Sequence, residues 1–231
     1  MVRKDWLNLN GLWEYSITAK DEEQPKKFDG RILVPYPVES ALSGVMKPVG
    51  EKKRLWYRRT FKVPGKWKGQ RVLLHFGAVD WDTTVWVNGK EAGKHRGGYD
   101  AFTFDITDAL EKSGREEIVL SVWDPTNAGN QPRGKQVKKP GGIMYTAVTG
   151  IWQTVWLEPV PQTYIAALKI VPDVDNGRVQ ITVDTIGDID QYTVNATVRG
   201  GGRVRTVSKR GFNKLTAKMP DPRLWSPDSP F

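Results

Sequence analysis

Polar and apolar residues alternate with a period of two along most of this chain. In Leu12–Thr18, Trp13, Tyr15 and Ile17 share one side while Glu14, Ser16 and Thr18 share the other, the pattern of a half-buried strand. The run Leu55–Val63 places Leu55, Tyr57, Phe61 and Val63 opposite Arg58, Thr60 and Lys62, and Val72, Leu74 and Phe76 line one side of Arg71–Phe76. Further strands are predicted at 31–34, 83–87, 101–106, 117–123 and 151–158. The single helical segment predicted is Thr107–Gly114, with Thr107 or Asp108 as N-cap and Gly114 as its stop. Between the alternating residues of Thr83–Gly93 stands Asn88-Gly89, the dipeptide suited to a type I′ turn, which needs positive φ at both central positions.

Many short strands, glycine-rich turns and almost no helix predict an all-β protein whose first domain, 1–160, is a jelly-roll β-sandwich. Two prolines in Leu157-Glu158-Pro159-Val160-Pro161 mark its end, because a strand does not keep pairing through them. In 161–231 the alternation is more regular, with Thr and Val dominant, at 164–171, 178–186, 191–198, 203–208 and 215–219. That pattern predicts an immunoglobulin-like β-sandwich. The fold takes about seven strands in ~100 residues, so this second domain is expected to be C-terminally incomplete.

Composition narrows the chemistry. The 231 residues include no cysteine and only 2 histidines, which removes disulfides, thiolate metal sites and histidine-based metal clusters. No metal and no cofactor is expected. The balance of 35 Lys+Arg against 26 Asp+Glu gives +9, scattered over short stretches such as EKKR at 51–54 and VKKP at 137–140. No nucleic-acid motif accompanies them, so solvated loops are the simpler reading and no nucleic-acid partner is expected. No apolar run is long enough to span a membrane, and the N-terminal MVRKDWLNLNGLWEY lacks the apolar core of a signal peptide. A processed exported chain would look the same; the compartment stays open, with a periplasmic or secreted setting favoured over the cytoplasm.

One long connection carries candidate binding chemistry. Residues 124–150 are rich in Gly, Asn, Gln, Arg and Lys, begin at Asp124 and are flanked by Trp123 and Trp152. Aromatic faces suit the C–H faces of a pyranose, and carboxylate, amide and guanidinium groups suit its hydroxyls. Each tryptophan has an alternative role as a plug of the sandwich core.

The stretch Phe76-Gly77-Ala78-Val79-Asp80-Trp81-Asp82-Thr83-Thr84-Val85-Trp86-Val87-Asn88-Gly89-Lys90, continued by Gly97-Gly98-Tyr99-Asp100-Ala101-Phe102-Thr103-Phe104-Asp105-Ile106-Thr107, resembles the sugar-binding domain of glycoside hydrolase family two, which contains β-galactosidases, β-glucuronidases and β-mannosidases. Leu9–Trp13, Trp56–Phe61 and Thr149–Glu158 agree with it, and Leu224-Trp225-Ser226-Pro227 resembles the late part of the family's immunoglobulin-like domain. The resemblance implies a carbohydrate partner. It also implies that Asp124 reaches a sugar hydroxyl in the parent's pocket, and that Arg133 and Gln136, in a stretch resembling bacterial members, are rim ligands beside Trp152.

Hydrolysis in the family needs a TIM barrel with a Glu after an Asn and a second Glu, held about 5–5.5 Å apart for retention. This chain has no Asn-Glu dipeptide. No catalytic residue is therefore assigned. The pairs Asp80/Asp82, Glu22/Glu23 and Glu116/Glu117 read as surface or turn charges, and His75 and His95 as structural or exposed residues. The expected role is a non-catalytic N-terminal carbohydrate-binding or accessory fragment of a retaining β-glycosidase, partnered in the parent by the missing barrel. A free-standing carbohydrate-binding module or lectin is the alternative. Self-association through 162–231 is expected if the second sandwich leaves an open apolar face.

Overall fold

A computed structural model describes residues 3–111, 114–200, 202–220 and 222–230. Residues Arg3–Pro159 form one compact unit, and a second begins at Val160.

In the first unit the strands are β1 (Leu7–Asn8), β2 (Gly11–Ala19), β3 (Gly30–Val34), β4 (Lys53–Phe61), β5 (Arg71–Phe76), β6 (Val79–Asp80), β7 (Asp82–Val87), β8 (Lys90–Arg96), β9 (Phe102–Asp105), β10 (Glu116–Trp123), β11 (Gly150–Ile151) and β12 (Val155–Val160). They assemble as a six-stranded sheet in the order β3-β2-β4-β10-β7-β8, a four-stranded sheet β1-β12-β5-β9 and the short pair β11-β6. This is the jelly-roll sandwich expected from the alternation.

Register explains the burial. Tyr15 lies opposite Tyr57, Tyr57 opposite Leu120 and Leu120 opposite Val85, so one apolar row crosses four strands on the inner face. Leu74, Phe76, Val155 and Leu157 of the other sheet close the same core. Trp13, 1% exposed, meets the Tyr57 ring edge-on at 6.4 Å and donates from Nε1 to the Leu9 carbonyl at 2.8 Å. A buried indole thus has its one donor satisfied.

The Asn88-Gly89 turn forms as expected, with φ of 50° and 75° between β7 and β8. Its side chain does more than tolerate that conformation. Asn88 Nδ2 donates to the Ala109 carbonyl at 2.9 Å and to Glu116 Oε2 at 2.5 Å, while Oδ1 accepts from Glu117 N at 2.9 Å. Glu116, expected at the surface, is 2% exposed, its carboxylate accepting from Asn88 Nδ2 of the turn and from Glu111 N. Asn88→Ala removes those donors and leaves a non-glycine residue without side-chain support at positive φ, so a loss of about 2–3 kcal/mol is expected. A lowered denaturant midpoint at unchanged slope checks it.

Three local expectations are corrected. The segment expected as a helix over Thr107–Gly114 is only a 3-10 turn at Thr107–Ala109, and Leu110 is already extended at ψ 144°. Its N-cap is Ile106, rather than Thr107 or Asp108, and Asp105 Oδ1 accepts from Thr107 N at 3.0 Å; Lys112 and Ser113 lie outside the described residues. The strand expected at 151–158 is broken at residues 152–154 into β11 and β12. Pro159 lies within β12, so the strand ends one residue before Pro161 rather than at the first proline.

The second unit contains β13 (Tyr164–Asp173), β14 (Arg178–Ile186), β15 (Thr193–Gly200), β16 (Arg203–Arg210) and β17 (Lys214–Lys218). Sheet β13-β14-β17 and the hairpin β15-β16 are antiparallel. Ile181, Val183 and Leu215 are buried, with Val194, Ala196, Val198 and Val207 of the hairpin packed against them, which makes the second sandwich. Leu168 pairs with Val183 and Ile170 with Ile181, so both share the core-facing side, yet they are 44% and 59% exposed.

Candidate functional site

The connection 124–150 is folded rather than loose. Asp124 Oδ1 accepts from Thr126 N at 2.7 Å, closing a turn in which Thr126 takes φ 54°. Gln131 Nε2 donates to the Thr126 carbonyl at 2.7 Å. Further on, the segments around Gln136 and Tyr145 run parallel as a short ribbon, with Val137 N donating to the Tyr145 carbonyl and Tyr145 N to the Lys135 carbonyl.

Alternation along this ribbon gives it two faces. Gln136 and Val148 border a pocket of about 260 Å³ that is also lined by Asp80, Tyr99, Tyr145, Trp152, Arg133 and Lys135. Val137 and Ala147 border a different pocket, of about 370 Å³, with Glu39, Glu51 and Lys138 in its wall. The first combines aromatic faces with a carboxyl, an amide and two cationic side chains. Trp152 and Tyr99 meet edge to face at 6.2 Å, and Trp152 Nε1 donates to the Gly98 carbonyl at 2.7 Å, which fixes the indole.

The polar floor of this pocket is Asp80, at 3% exposure. Gln136 Nε2 donates to Asp80 Oδ2 at 2.9 Å, and Gln136 Oε1 accepts from Val148 N at 2.6 Å, so one amide ties the ribbon to β6. Burial pushes the Asp80 carboxyl up to about 7, with the nearby Asp124 charge adding to the rise and the Gln136 hydrogen bond opposing it. Close packing over Asp80 requires Gly98: a Cβ there would lie 2.6 Å from the Asp80 Cγ.

Below the ribbon sits a second buried carboxylate group. Thr149 Oγ1 donates to Asp124 Oδ2 at 3.0 Å while Thr149 N donates to Glu39 Oε2 at 2.9 Å. Glu39 Oε1 is buried without a hydrogen-bond partner among the described residues. Burial raises Glu39 to about 7 against the hydrogen bonds from Thr149, and it raises Asp124 against those from Thr126 and Thr149.

Of the residues singled out in the sequence, Arg133, Gln136 and Trp152 line one pocket, whereas Asp124, at 2% exposure, lies beneath the ribbon and does not line it. Arg133 Nε donates to the Gln136 carbonyl at 3.1 Å. Trp123 lies elsewhere: Lys20 Nζ covers its ring at 3.8 Å and its Nε1 donates to the Glu51 carbonyl. Sequence reasoning missed Asp80, Tyr99 and Tyr145. A carboxylate within the apolar run Ala78-Val79-Asp80-Trp81, with a glycine pair 17 residues on, was the available signal.

Both histidines are structural. His75 stacks on Trp156 at 4.7 Å between Glu158 and Thr103, and burial lowers its pKa despite the Glu158 carboxylate. His95 stacks on Phe102 at 4.1 Å.

Comparison with known proteins bears on the family and the fold. The chain is 33% identical to a β-glucuronidase of Bacteroides fragilis, over 97% of this chain and 33% of that protein, and 28% identical to a β-galactosidase of Thermoanaerobacter pseudethanolicus, over 99% and 32%. It therefore spans about a third of the length of these relatives. Among solved structures, a Ruminococcus gnavus β-glucuronidase in complex with a C6-substituted uronic isofagomine superposes with a TM-score of 0.75 at 16% identity, over 99% of this chain and 42% of that one. A Lactobacillus rhamnosus β-glucuronidase gives 0.75 at 23%, over 99% and 41%. The profile of the glycosyl hydrolases family 2 sugar binding domain matches residues 32–158, more than half of the sequence, and on that match, laid over a jelly-roll sandwich, the chain belongs to glycosyl hydrolase family 2.

Proposed function

We propose that this chain recognises a pyranose of a β-linked glycan in the Tyr99–Tyr145–Trp152 pocket, as the non-catalytic sugar-recognition portion of a longer family 2 enzyme. The observation that carries the reading is the pocket itself. Three aromatic side chains offer apolar walls, Asp80 retains an acceptor oxygen beyond the one held by Gln136, and Arg133 and Lys135 stand at the edge. Its volume suits a single sugar ring rather than an oligosaccharide. Hydrolysis belongs to residues outside this sequence, which has no Asn-Glu dipeptide and covers a third of its relatives' length.

Calorimetric titration with methyl β-galactoside and methyl β-glucuronide tests the binding. Saturable heats are expected, with Kd on the order of millimolar for so small a contact. Silence toward both sugars overturns the pocket assignment, and turnover of nitrophenyl β-glycosides above blank overturns the non-catalytic one.

The second unit is proposed to self-associate in isolation. Leu168 and Ile170 are exposed on the side of β13 that faces the core of its own sheet, an arrangement water disfavours. The sedimentation-average mass is expected to rise with concentration, and Ile170→Lys to hold it at the monomer value. A concentration-independent monomer removes this part of the proposal.

A further inference from the structure

Two hydrogen-bonded bridges fasten the ribbon to the sandwich, and each ends on a buried carboxyl group. Gln136 spans from Val148 to Asp80, and Thr149 spans from Glu39 to Asp124. Among the described residues none of these three carboxyl groups makes an ion pair.

Other charges lie nearby without reaching them as partners. Beside Glu39 are Lys52, Lys53, Lys138 and Glu51, and Lys138 is paired with Glu51. Around Asp80 are Tyr99, Tyr145, Arg133 and Lys135; Arg133 is engaged by the Gln136 carbonyl and Lys135 lies 5.7 Å from the Tyr145 ring centre. Asp124 feels only a moderating influence from Lys138. Tyr57, whose hydroxyl accepts from Ile151 N at 3.1 Å, packs near Glu39 and is held neutral by burial. His95 and Asp100 lie by Gly97, next to the glycine that covers Asp80.

We propose that the ribbon is a proton-dependent clasp: neutral Glu39 and Asp80 hold residues 135–149 against the sandwich, and their ionisation alongside Asp124 loosens that segment and opens the pocket it walls. The consequence for sugar binding rests on the pocket assignment above; the loosening itself does not. The physical reason is mutual. Buried carboxylates without counter-ions are disfavoured by desolvation and by one another, and the cheapest relief is to move the segment that keeps water out. Burial brings the ionisation of Glu39 and Asp80 up to about 7, so the clasp is closed in mild acid and strained in mild alkali.

Hydrogen exchange of the full chain, without sugar, tests this. The amides of Val137, Tyr145, Val148 and Thr149 donate within the ribbon or its bridges. After correction for intrinsic rates, their protection is expected to fall about tenfold or more between about pH 5.5 and about pH 8.5, while the β10 amides of Ile118 and Leu120 stay constant. In Glu39→Gln/Asp80→Asn the ribbon's fall is expected to shrink below about threefold. Glu39→Gln alone serves should the double variant fold poorly, and should reduce the fall by itself. Equal ribbon protection at both pH values, a parallel loss in β10, or an undiminished fall in the variants overturns the clasp. Sugar titration at the lower pH separates the two ideas: no binding there sinks the pocket assignment and leaves the exchange result standing.

Discussion

Gly150→Ala is expected to destabilise the first unit by about 4 kcal/mol, from steric overpacking plus a left-handed backbone that L-residues resist. Gly150 has φ +89°, and an added Cβ would stand 2.0 Å from Tyr57 Oη and 2.9 Å from a Leu55 methyl carbon. Neither neighbour has room to move, since Tyr57 and Leu55 are both 0% exposed and Tyr57 is in the four-strand row of the core. The substitution would also disturb the pairing of Gly150 with Asp80 and the hydrogen bond between Ile151 N and Tyr57. Gly44→Ala is the matched control. Its φ is +79°, but nothing lies within 4 Å of the added carbon, so only the backbone cost of about 1 kcal/mol applies. Urea unfolding followed by tryptophan fluorescence reads the difference, because every tryptophan except Trp225 lies in the first unit. A Gly150→Ala cost no larger than that of Gly44→Ala would show that the close approach to Tyr57 does not constrain the fold.

Trp152→Ala is expected to weaken sugar binding by about tenfold or more, the equivalent of at least ~1.4 kcal/mol, while the sandwich stays folded. The indole is half-buried, forms a wall of the pocket and is oriented by its bond to the Gly98 carbonyl. Removing it deletes the apolar face against which a pyranose would stack and frees Tyr99 from its edge-to-face contact. Trp152→Phe keeps an aromatic wall but loses the N–H, so it should retain most of the affinity. That ordering separates stacking from polar orientation. Undiminished affinity in Trp152→Ala would mean that any sugar bound by the chain sits elsewhere.

Much of the architecture was legible because a two-sided sheet leaves a two-residue rhythm in the sequence. Trp13, Tyr15, Leu55 and Tyr57 are where the alternation placed them, on the buried side, and Asn88-Gly89 announces its hairpin through the φ values that few other residues accept. The segment after Ile106 misled because capping residues and a following glycine are local signals, whereas a helix this short needs tertiary packing to exist. There the chain needs only to turn from β9 into β10. Within the candidate site, Arg133, Gln136 and Trp152 were recognisable by chemical type and by the family resemblance. For Asp124 the resemblance implies a contact with a sugar hydroxyl in the parent's pocket; within this chain two threonines hold its carboxyl.

Asp80 and Glu116 mark the boundary of what a sequence carries. Each stands next to or near another acidic residue and looks like surface charge, yet each is buried on donors brought from far along the chain: Gln136, 56 positions away, for Asp80, and Asn88, 28 away, for Glu116. The strand period, the hairpin turn, the two-sandwich class and the family can be read from the residues alone, since all of these follow from local backbone preference and from ordered motifs. That Tyr99, Tyr145 and Trp152 share a pocket, and that Glu39, Asp80 and Asp124 are buried together about one ribbon, comes from the folded arrangement. Desolvation and hydrogen-bond supply depend on what surrounds a group in space, and that neighbourhood exists only once the strands have paired.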